Sequence, residues 1–455
     1  MQTNPLKISR YSLQWGLLFI VISSSLSAQT LDNYVQEGLK SNLVLQQKNV
    51  SLQQAQQSLQ IAKSYFLPSV NLLADYTSGE GGRSIGIPVG DLLNPVYASL
   101  NQMTQSDAFP QVENVNQNFF PKDFYDARIR TSLPLVNTDL YINRTIQNQQ
   151  VMLKQYDLDA YKRQLVLEIK TAYYNQVAAE AAVKIYESAL TLVHKNVEIN
   201  ESLLRNGKSL PANVLRSKSE MERVNAELNS SRNQVRNARQ YLNFLLNRDL
   251  DAEVNTTASL ENITFTVDTS GQVNNREEVQ MIKTQQDINV SVLRMSRLSR
   301  LPKVNAFMDL GTQASSWKYN DDSRYYLVGV QLSLPIFQGF RNSITIRQNK
   351  LEIEKTSQHL TNSTKQLELT ATLAKNQLQT TLENYKAARE QLKSAQSYFH
   401  LIEKGYKEGV NSLIEFLDAR NQFTNSQLQL NLRQLEVLTA QARVERETAS
   451  YSFQN

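Results

Sequence analysis

The sequence predicts a mainly α-helical protein with a small β part, built from a duplicated unit of long antiparallel coiled-coil helices. Glycine and proline are scarce, with 14 and 10 among 455 residues, so few positions favour chain reversal. Two proline-free stretches, 137–205 and 339–404, are each long enough for a helix of about 100 Å. The same short motifs also recur in both halves of the chain.

The first 28 residues have the composition of a secretory signal peptide. Lys7 and Arg10 precede an apolar run over 15–22, and small residues follow up to Ala28. This run is too short to cross a membrane as a helix. We therefore expect an exported chain. Its lack of cysteine predicts no disulfide framework, thiolate metal site or lipid-bearing cysteine.

Three motifs divide the chain into a first repeat at 29–254 and a second at 274–455, joined by a linker at 255–273. LPSVN at 67–71 matches LPKVN at 301–305, SLPLV at 132–136 matches SLPIF at 333–337, and Gly207 matches Gly409. The first repeat alone carries an insertion at about 79–124 that is rich in glycine and proline. That composition predicts an exposed loop.

Each repeat contains two segments in which apolar and polar residues alternate. The predicted strands lie at about 67–78, 125–135, 302–313 and 323–336. Their length and alternation are typical of transmembrane β-strands. Four strands cannot close a barrel, and an open edge in lipid leaves backbone groups unpaired. Either the strands form a small soluble sheet, or several chains share one barrel.

Each repeat also predicts one long helix beside two shorter helices stacked end to end. The shorter segments are 31–63 with 208–247, and 274–300 with 412–454. In the last segment large apolar residues recur every seven positions, which predicts coiled-coil packing against the preceding long helix. They are Phe416, Phe423, Leu430, Val437, Val444 and Tyr451. The strands would lie at one end of the helices, and the hairpin turns at about 205–211 and 405–412 at the other.

The sequence contains no pattern that predicts catalysis or a cofactor. The three histidines lie in predicted helices without the spacing of metal ligands. The glycine-rich stretch at 79–86 lacks the Lys-Ser or Lys-Thr pair of a phosphate-binding loop, and no GxSxG motif is present. A formal net charge of +5, spread along the helices, also argues against nucleic acid as a partner.

Four stretches resemble the TolC-like outer-membrane efflux proteins. They are LDNYVQEGLKSN at 31–42, AKSYFLPSVNLLADY at 62–76, NREEV at 275–279 and YKEGVNSLIEFLDARNQF at 406–423. The resemblance covers essentially the whole mature chain. It implies a homotrimer whose chains each supply four transmembrane strands to one twelve-stranded barrel in outer-membrane lipid. Their helices would continue this barrel as an α-barrel in the periplasm.

The resemblance also implies a function. The trimer would be the exit duct of a tripartite efflux or type I secretion system, and would passively export what an inner-membrane pump of the RND or ABC type and a periplasmic membrane-fusion adaptor deliver. The alternative from a different class is an exported structural coiled-coil or fibre protein without a pore. Ion conductance across a planar bilayer would distinguish the two.

Residue roles follow from the same resemblance. The first adaptor-facing tip would contain Arg205, Gly207, Lys208, Ser209 and Leu210, and the second Gly409, Ser412 and Leu413. Tyr406, Glu415 and Asp418 stand where the family has a gate tyrosine and two acidic residues that constrict the channel. Asn411 replaces a gate arginine, and Asn213 replaces the acidic partner of the tyrosine. We therefore expect the closed gate to depend on neutral hydrogen bonds more than on ion pairs.

Overall fold

A computed structural model describes residues 31–119, 122–256 and 275–453. The predicted signal peptide and nearly all of the predicted linker lie outside these ranges. The helices are α1 (Leu31–Ser41), α2 (Leu43–Ser64), α3 (Val89–Thr104), α4 (Thr138–Arg205), α5 (Pro211–Leu245), α6 (Glu277–Leu298), α7 (Arg341–Lys407) and α8 (Leu413–Thr448). The strands are β1 (Ser69–Thr77), β2 (Ser84–Ile87), β3 (Val115–Asn118), β4 (Phe124–Val136), β5 (Lys303–Ser315) and β6 (Arg324–Ser333).

The two predicted long helices are present as α4, with 68 residues, and α7, with 67. The predicted seven-residue pattern forms part of the packing between α7 and α8, where Leu378, Val437 and Val444 belong to one buried cluster. Small residues on α7, such as Ala374, lie in the same cluster and leave room for the larger side chains of α8. The predicted mainly helical fold is therefore confirmed.

The helices form one layer whose order follows from their contacts. On one side of α4 lie α2 and α5, and α4 also contacts α6 and α8, both of which contact α7. The shorter helices meet end to end, as predicted. Asn42 Nδ2 donates to the carbonyl oxygen of Leu245 at 2.9 Å, and Arg276 at the start of α6 pairs with Glu447 of α8 at 2.6 Å. One repeat thus supplies each half of the layer.

The four predicted strands form one antiparallel sheet in the order β1-β4-β5-β6. The register places Asn71 opposite Arg130, and Arg130 opposite Asp309. Among the described residues, β1 and β6 pair on one side only. The sheet of a single chain therefore has two open edges.

Two details differ from the sequence prediction of the helices. The segment at 31–63 is interrupted at Asn42, whose backbone is extended and whose side chain accepts a hydrogen bond from the backbone of Leu45 to begin α2. The last helix ends at Thr448 rather than near 454, because Ala449 adopts a left-handed conformation with φ of +54°. None of the described helices is both long and apolar enough to cross a membrane.

The insertion at 79–124 is not only a loop, and that prediction was incomplete. It contains α3 and the two-stranded β2–β3 hairpin. Asn94 exchanges two hydrogen bonds with the backbone of Val112, and Asn101 exchanges two with the backbone of Phe109. These side chains hold the returning chain against α3, so its order depends on contacts that composition does not report.

Candidate functional site

Both hairpin turns depend on a glycine in the left-handed region. Gly207 has φ of +71° and Gly409 has φ of +77°. The amide of Lys208 bonds the carbonyl oxygen of Leu203 at 2.8 Å, and that of Val410 bonds the carbonyl oxygen of Gly405 at 2.8 Å. These bonds close the ends of α4 and α7, where a side chain at the glycine position would be strained.

The predicted tip residues do not all reach the surface. Arg205, Gly207, Lys208, Leu210, Gly409 and Ser412 are exposed, and Ser209 is half-buried. Leu413 is buried with Phe399 and Phe416, so it is a core residue of the α7–α8 hairpin and its assignment to the tip surface was wrong. The sequence prediction missed two exposed apolar side chains beside it, Val410 and Ile414, which are 81% and 72% exposed.

Tyr406 is linked to the other hairpin, but not through the predicted residue. Its hydroxyl accepts a hydrogen bond from Nδ2 of Asn200 on α4 at 3.1 Å, and its ring stacks on Phe416 with a centroid distance of 4.8 Å. Asn213 instead donates to the hydroxyl of Ser209 at 3.2 Å, within the first turn of its own hairpin. The pairing of Tyr406 with Asn213 was therefore wrong, since Asn213 is committed to its own turn.

Asn200 belongs to a buried polar layer between α4 and α5. Its amide also donates to Ser217 at 3.3 Å, and Ser217 donates to Asn196 at 2.9 Å. A sequence signal for this layer exists. Ala189, Val193, Asn196 and Asn200 follow the four-three-four spacing of a helical seam, so two asparagines continue an apolar stripe into a buried position. The link to Tyr406 consists of neutral hydrogen bonds.

Asn411, Glu415 and Asp418 lie together at the start of α8. One oxygen of Glu415 accepts from the amide of Ser412 at 2.7 Å and from Asn411 at 3.4 Å. These bonds, first that from the Ser412 backbone, lower the pKa of Glu415. Asp418 follows less than one turn later and is also exposed. Within the described part of the chain, neither carboxylate forms a salt bridge.

The sheet has one apolar face and one charged face. The exposed apolar face carries Val70, Leu72, Ile129, Met308, Leu310, Val328, Val330 and Leu332. On the opposite face Arg130 donates two bonds to Asp309 at 2.7 and 2.6 Å, and Arg128 pairs with Asp126. Exposed aromatic residues lie at both ends of the sheet, with Tyr76 and Trp317 at the turn end and Tyr65 and Phe337 at the helix end. This is the pattern of a lipid-facing strand surface with flanking aromatic girdles.

The family model described as "Outer membrane efflux protein" matches residues 34–248 and 272–449 of this chain. The chain belongs to this family. Outer membrane protein TolC of Escherichia coli (strain K12) is 21% identical over 435 residues, which cover 91% of this chain and 81% of TolC. TolC of Salmonella enteritidis is 22% identical over 438 residues, covering 91% of this chain and 82% of that protein.

Solved structures of outer-membrane channels have the same fold. The Campylobacter jejuni CmeC outer membrane channel aligns with a TM-score of 0.75 at 15% identity, covering 98% of this chain and 94% of CmeC. The outer-membrane channel OprN aligns with a TM-score of 0.74 at 15% identity, covering 92% of this chain and 89% of OprN. At such identities the likeness concerns the fold alone.

Membership of the outer membrane efflux family confirms the predicted family, an outer-membrane location with a periplasmic extension, and the function of an efflux duct. The family consists of channel proteins rather than enzymes. Nothing in these comparisons favours the alternative of a structural fibre protein.

Proposed function

We propose that this efflux-family chain forms a homotrimeric exit duct that conducts substrates passively, without catalysis or a cofactor. The observation that carries the proposal is that the described part of the chain has two flanks that no other described element covers. One flank consists of β1, α2 and α5, and the other of β6 and α7. At each flank, within the described residues, an open strand edge continues into helices that pack against the rest of the layer on one side only.

The two flanks are suited to each other in copies of the same chain. Exposed apolar side chains occur on both, including Val50, Ile61 and Phe244 on the first flank and Leu351, Leu369 and Leu373 on the second. Contact between two different flanks is a heterologous interface, which closes into a ring when the rotation per copy allows it. Closure pairs every strand edge, as lipid requires. Three copies give the twelve-stranded barrel that the sequence resemblance implies.

The start of α8, at the end of the duct that carries the hairpin turns, supplies the proposed gate. In a trimer, Glu415 and Asp418 would form rings of exposed carboxylates that attract cations and repel one another. The link between Tyr406 and Asn200 would hold the α7–α8 hairpin against the α4–α5 hairpin and keep the end narrow. Asn411 would contribute by fixing the carboxylate of Glu415. Asn213 would stabilise the neighbouring turn through Ser209 rather than the gate itself.

The hairpin tips are the proposed contact for a periplasmic membrane-fusion adaptor. Leu210, Val410 and Ile414 expose apolar surface beside the glycine turns, and Arg205 and Lys208 add positive charge. Exposed apolar side chains at the end of an elongated protein are typical of an interaction site. The adaptor would connect the duct to an inner-membrane pump of the RND or ABC type, which would supply the energy for export.

A combined measurement of mass and conductance tests this proposal. The detergent-solubilised protein should have the mass of a trimer, and it should conduct ions after insertion into a planar bilayer. A stable monomer, or a trimer without conductance, would contradict the proposal. Replacing both Glu415 and Asp418 with alanine should weaken block by a multivalent cation such as hexamminecobalt, whereas unchanged block would exclude these residues from the pore.

A further inference from the structure

Near the gate, α8 buries an arginine that is only partly satisfied. The side chain of Arg420 is 1% exposed. Its Nη2 donates to Oε1 of Glu220 on α5. The same atom donates to Oδ1 of Asn421, at a distance of 2.7 Å. Nε and Nη1 are buried and have no hydrogen-bond partner among the described residues. A buried donor without a partner destabilises the state that buries it.

Glu220 does not depend on Arg420 for its own partners. It also accepts two bonds from Arg223, at 2.6 and 3.1 Å, and the side chain of Arg223 is 51% exposed. Asn421 accepts a further bond from Arg223 at 2.7 Å. Two guanidinium groups therefore share one carboxylate, and only Arg420 is excluded from water. Burial, with repulsion from Arg223, lowers the pKa of Arg420, although Glu220 opposes this.

Because of this arrangement, removing one partner of the Arg420–Glu220 ion pair should affect the stability of the closed state differently from removing the other. Removing the carboxylate of Glu220 leaves Arg420 as a buried charge without a counter-ion, which strongly destabilises a folded state. Removing the guanidinium of Arg420 leaves Glu220 paired with Arg223 and eliminates two unpartnered donors. Replacing a buried ionic group with an apolar side chain of similar volume is often neutral or stabilising. The two substitutions should therefore act in opposite directions.

The pair also joins elements of different hairpins, since α5 follows α4 whereas α8 follows α7. We propose that Arg420 is a positioning residue for channel opening. Its burial favours separation of the α7–α8 hairpin from the α4–α5 hairpin, and its ion pair with Glu220 opposes that separation. In a separated state the free donors of Arg420 would reach water. The proposal rests on the gate proposed above and extends it to a pair that, among the described residues, forms no hydrogen bond with the turns or with Tyr406.

The test compares Glu220→Gln, Arg420→Met and the double variant with the wild-type trimer in planar bilayers. Glu220→Gln should raise the open-state population by roughly tenfold or more, because it leaves a buried charge unpaired. Arg420→Met should conduct no more than wild type. The double variant should return to the wild-type level, because it contains no buried charge. Arg223→Met serves as a control for an exposed cation of the same cluster and should change conductance by less than about twofold.

The outcomes separate this inference from the proposed function. If Arg420→Met opens the channel as Glu220→Gln does, or if the double variant stays open, the pair is a simple bridge and the inference is wrong. Unchanged conductance of Glu220→Gln in a conducting trimer would also overturn it, whereas a wild-type chain without conductance would refute the duct itself. If Glu220→Gln fails to assemble, the conductance of Arg420→Met tests the inference. Conductance above the wild-type level contradicts the inference, and conductance at or below that level supports it.

Discussion

Replacing Tyr406 with phenylalanine tests the role of the hydrogen bond between the two hairpins. The ring of Tyr406 stacks on Phe416 at a centroid distance of 4.8 Å, and phenylalanine would preserve this contact. Only the hydroxyl is lost, together with the bond that it accepts from Nδ2 of Asn200 at 3.1 Å and the bond that it donates to Oδ1 of Asn200 at 3.3 Å. Asn200 is 1% exposed, so water would not readily replace the lost partner. The side-chain nitrogen of Asn200 keeps two partners, Asn196 and Ser217, whereas its side-chain oxygen loses the bond from Tyr406.

The size of the effect follows from the net cost of losing one neutral hydroxyl that accepts from and donates to the same amide. Its loss should destabilise the closed arrangement by about 1 kcal/mol in each copy. If the three copies of the proposed trimer open together, the change is about 3 kcal/mol, which corresponds to roughly a hundredfold increase in the open population. If each copy opens alone, the increase is about fivefold. The measured ratio therefore also reports how cooperative opening is.

Single-channel recording in planar bilayers measures this population directly. Tyr398→Phe is a matched control, because Tyr398 lies on the same helix and forms no side-chain hydrogen bond among the described residues. It should conduct like wild type. If Tyr406→Phe and Tyr398→Phe both behave like wild type, the hydroxyl does not hold the gate and the reasoning is refuted.

Three further predictions concern the sheet, the proposed gate and the residues that follow α8. Gly311→Ala should destabilise the four-stranded sheet by about 1–3 kcal/mol, because an added Cβ would lie 2.7 Å from a backbone oxygen of the neighbouring strand. Heat modifiability on gels should show a lower unfolding midpoint, and an unchanged midpoint would contradict this. The lowered pKa of Glu415 keeps its carboxylate charged as the pH falls through the range where an ordinary glutamate protonates. Block by hexamminecobalt should therefore persist to lower pH than block through an ordinary glutamate, and Glu415→Gln should weaken the block. Loss of block at the pKa of an ordinary glutamate would refute this. Phe453→Ala removes a ring that lies 5.0 Å from the guanidinium of Arg163. The loss should lower the free energy of unfolding in denaturant by about 1–2 kcal/mol, and equal midpoints would argue against a structural role for this ring.

Local patterns predicted the elements of this protein because they depend on residues close together in the chain. The seven-residue spacing of apolar side chains along α8 predicted the face that packs against α7. The alternation of apolar and polar residues predicted the four strands that the sheet contains. The glycines of the two turns were recognisable because only a residue without a side chain adopts such backbone angles easily. The repeated motifs then placed these elements in two equivalent halves.

Contacts between distant residues were decided only by the tertiary structure. Asn200 rather than Asn213 bonds Tyr406, Leu413 lies in a core rather than on a tip, and Arg420 meets Glu220 across two hairpins. The two polar pairs, Asn200 with Tyr406 and Glu220 with Arg420, are each separated by about two hundred positions. Their contact depends on how helices of about 100 Å are aligned. The sequence alone therefore determined which segments form helices, strands and turns. Only packing decided which polar side chains meet, because a shift of one helical turn between neighbours exchanges every partner.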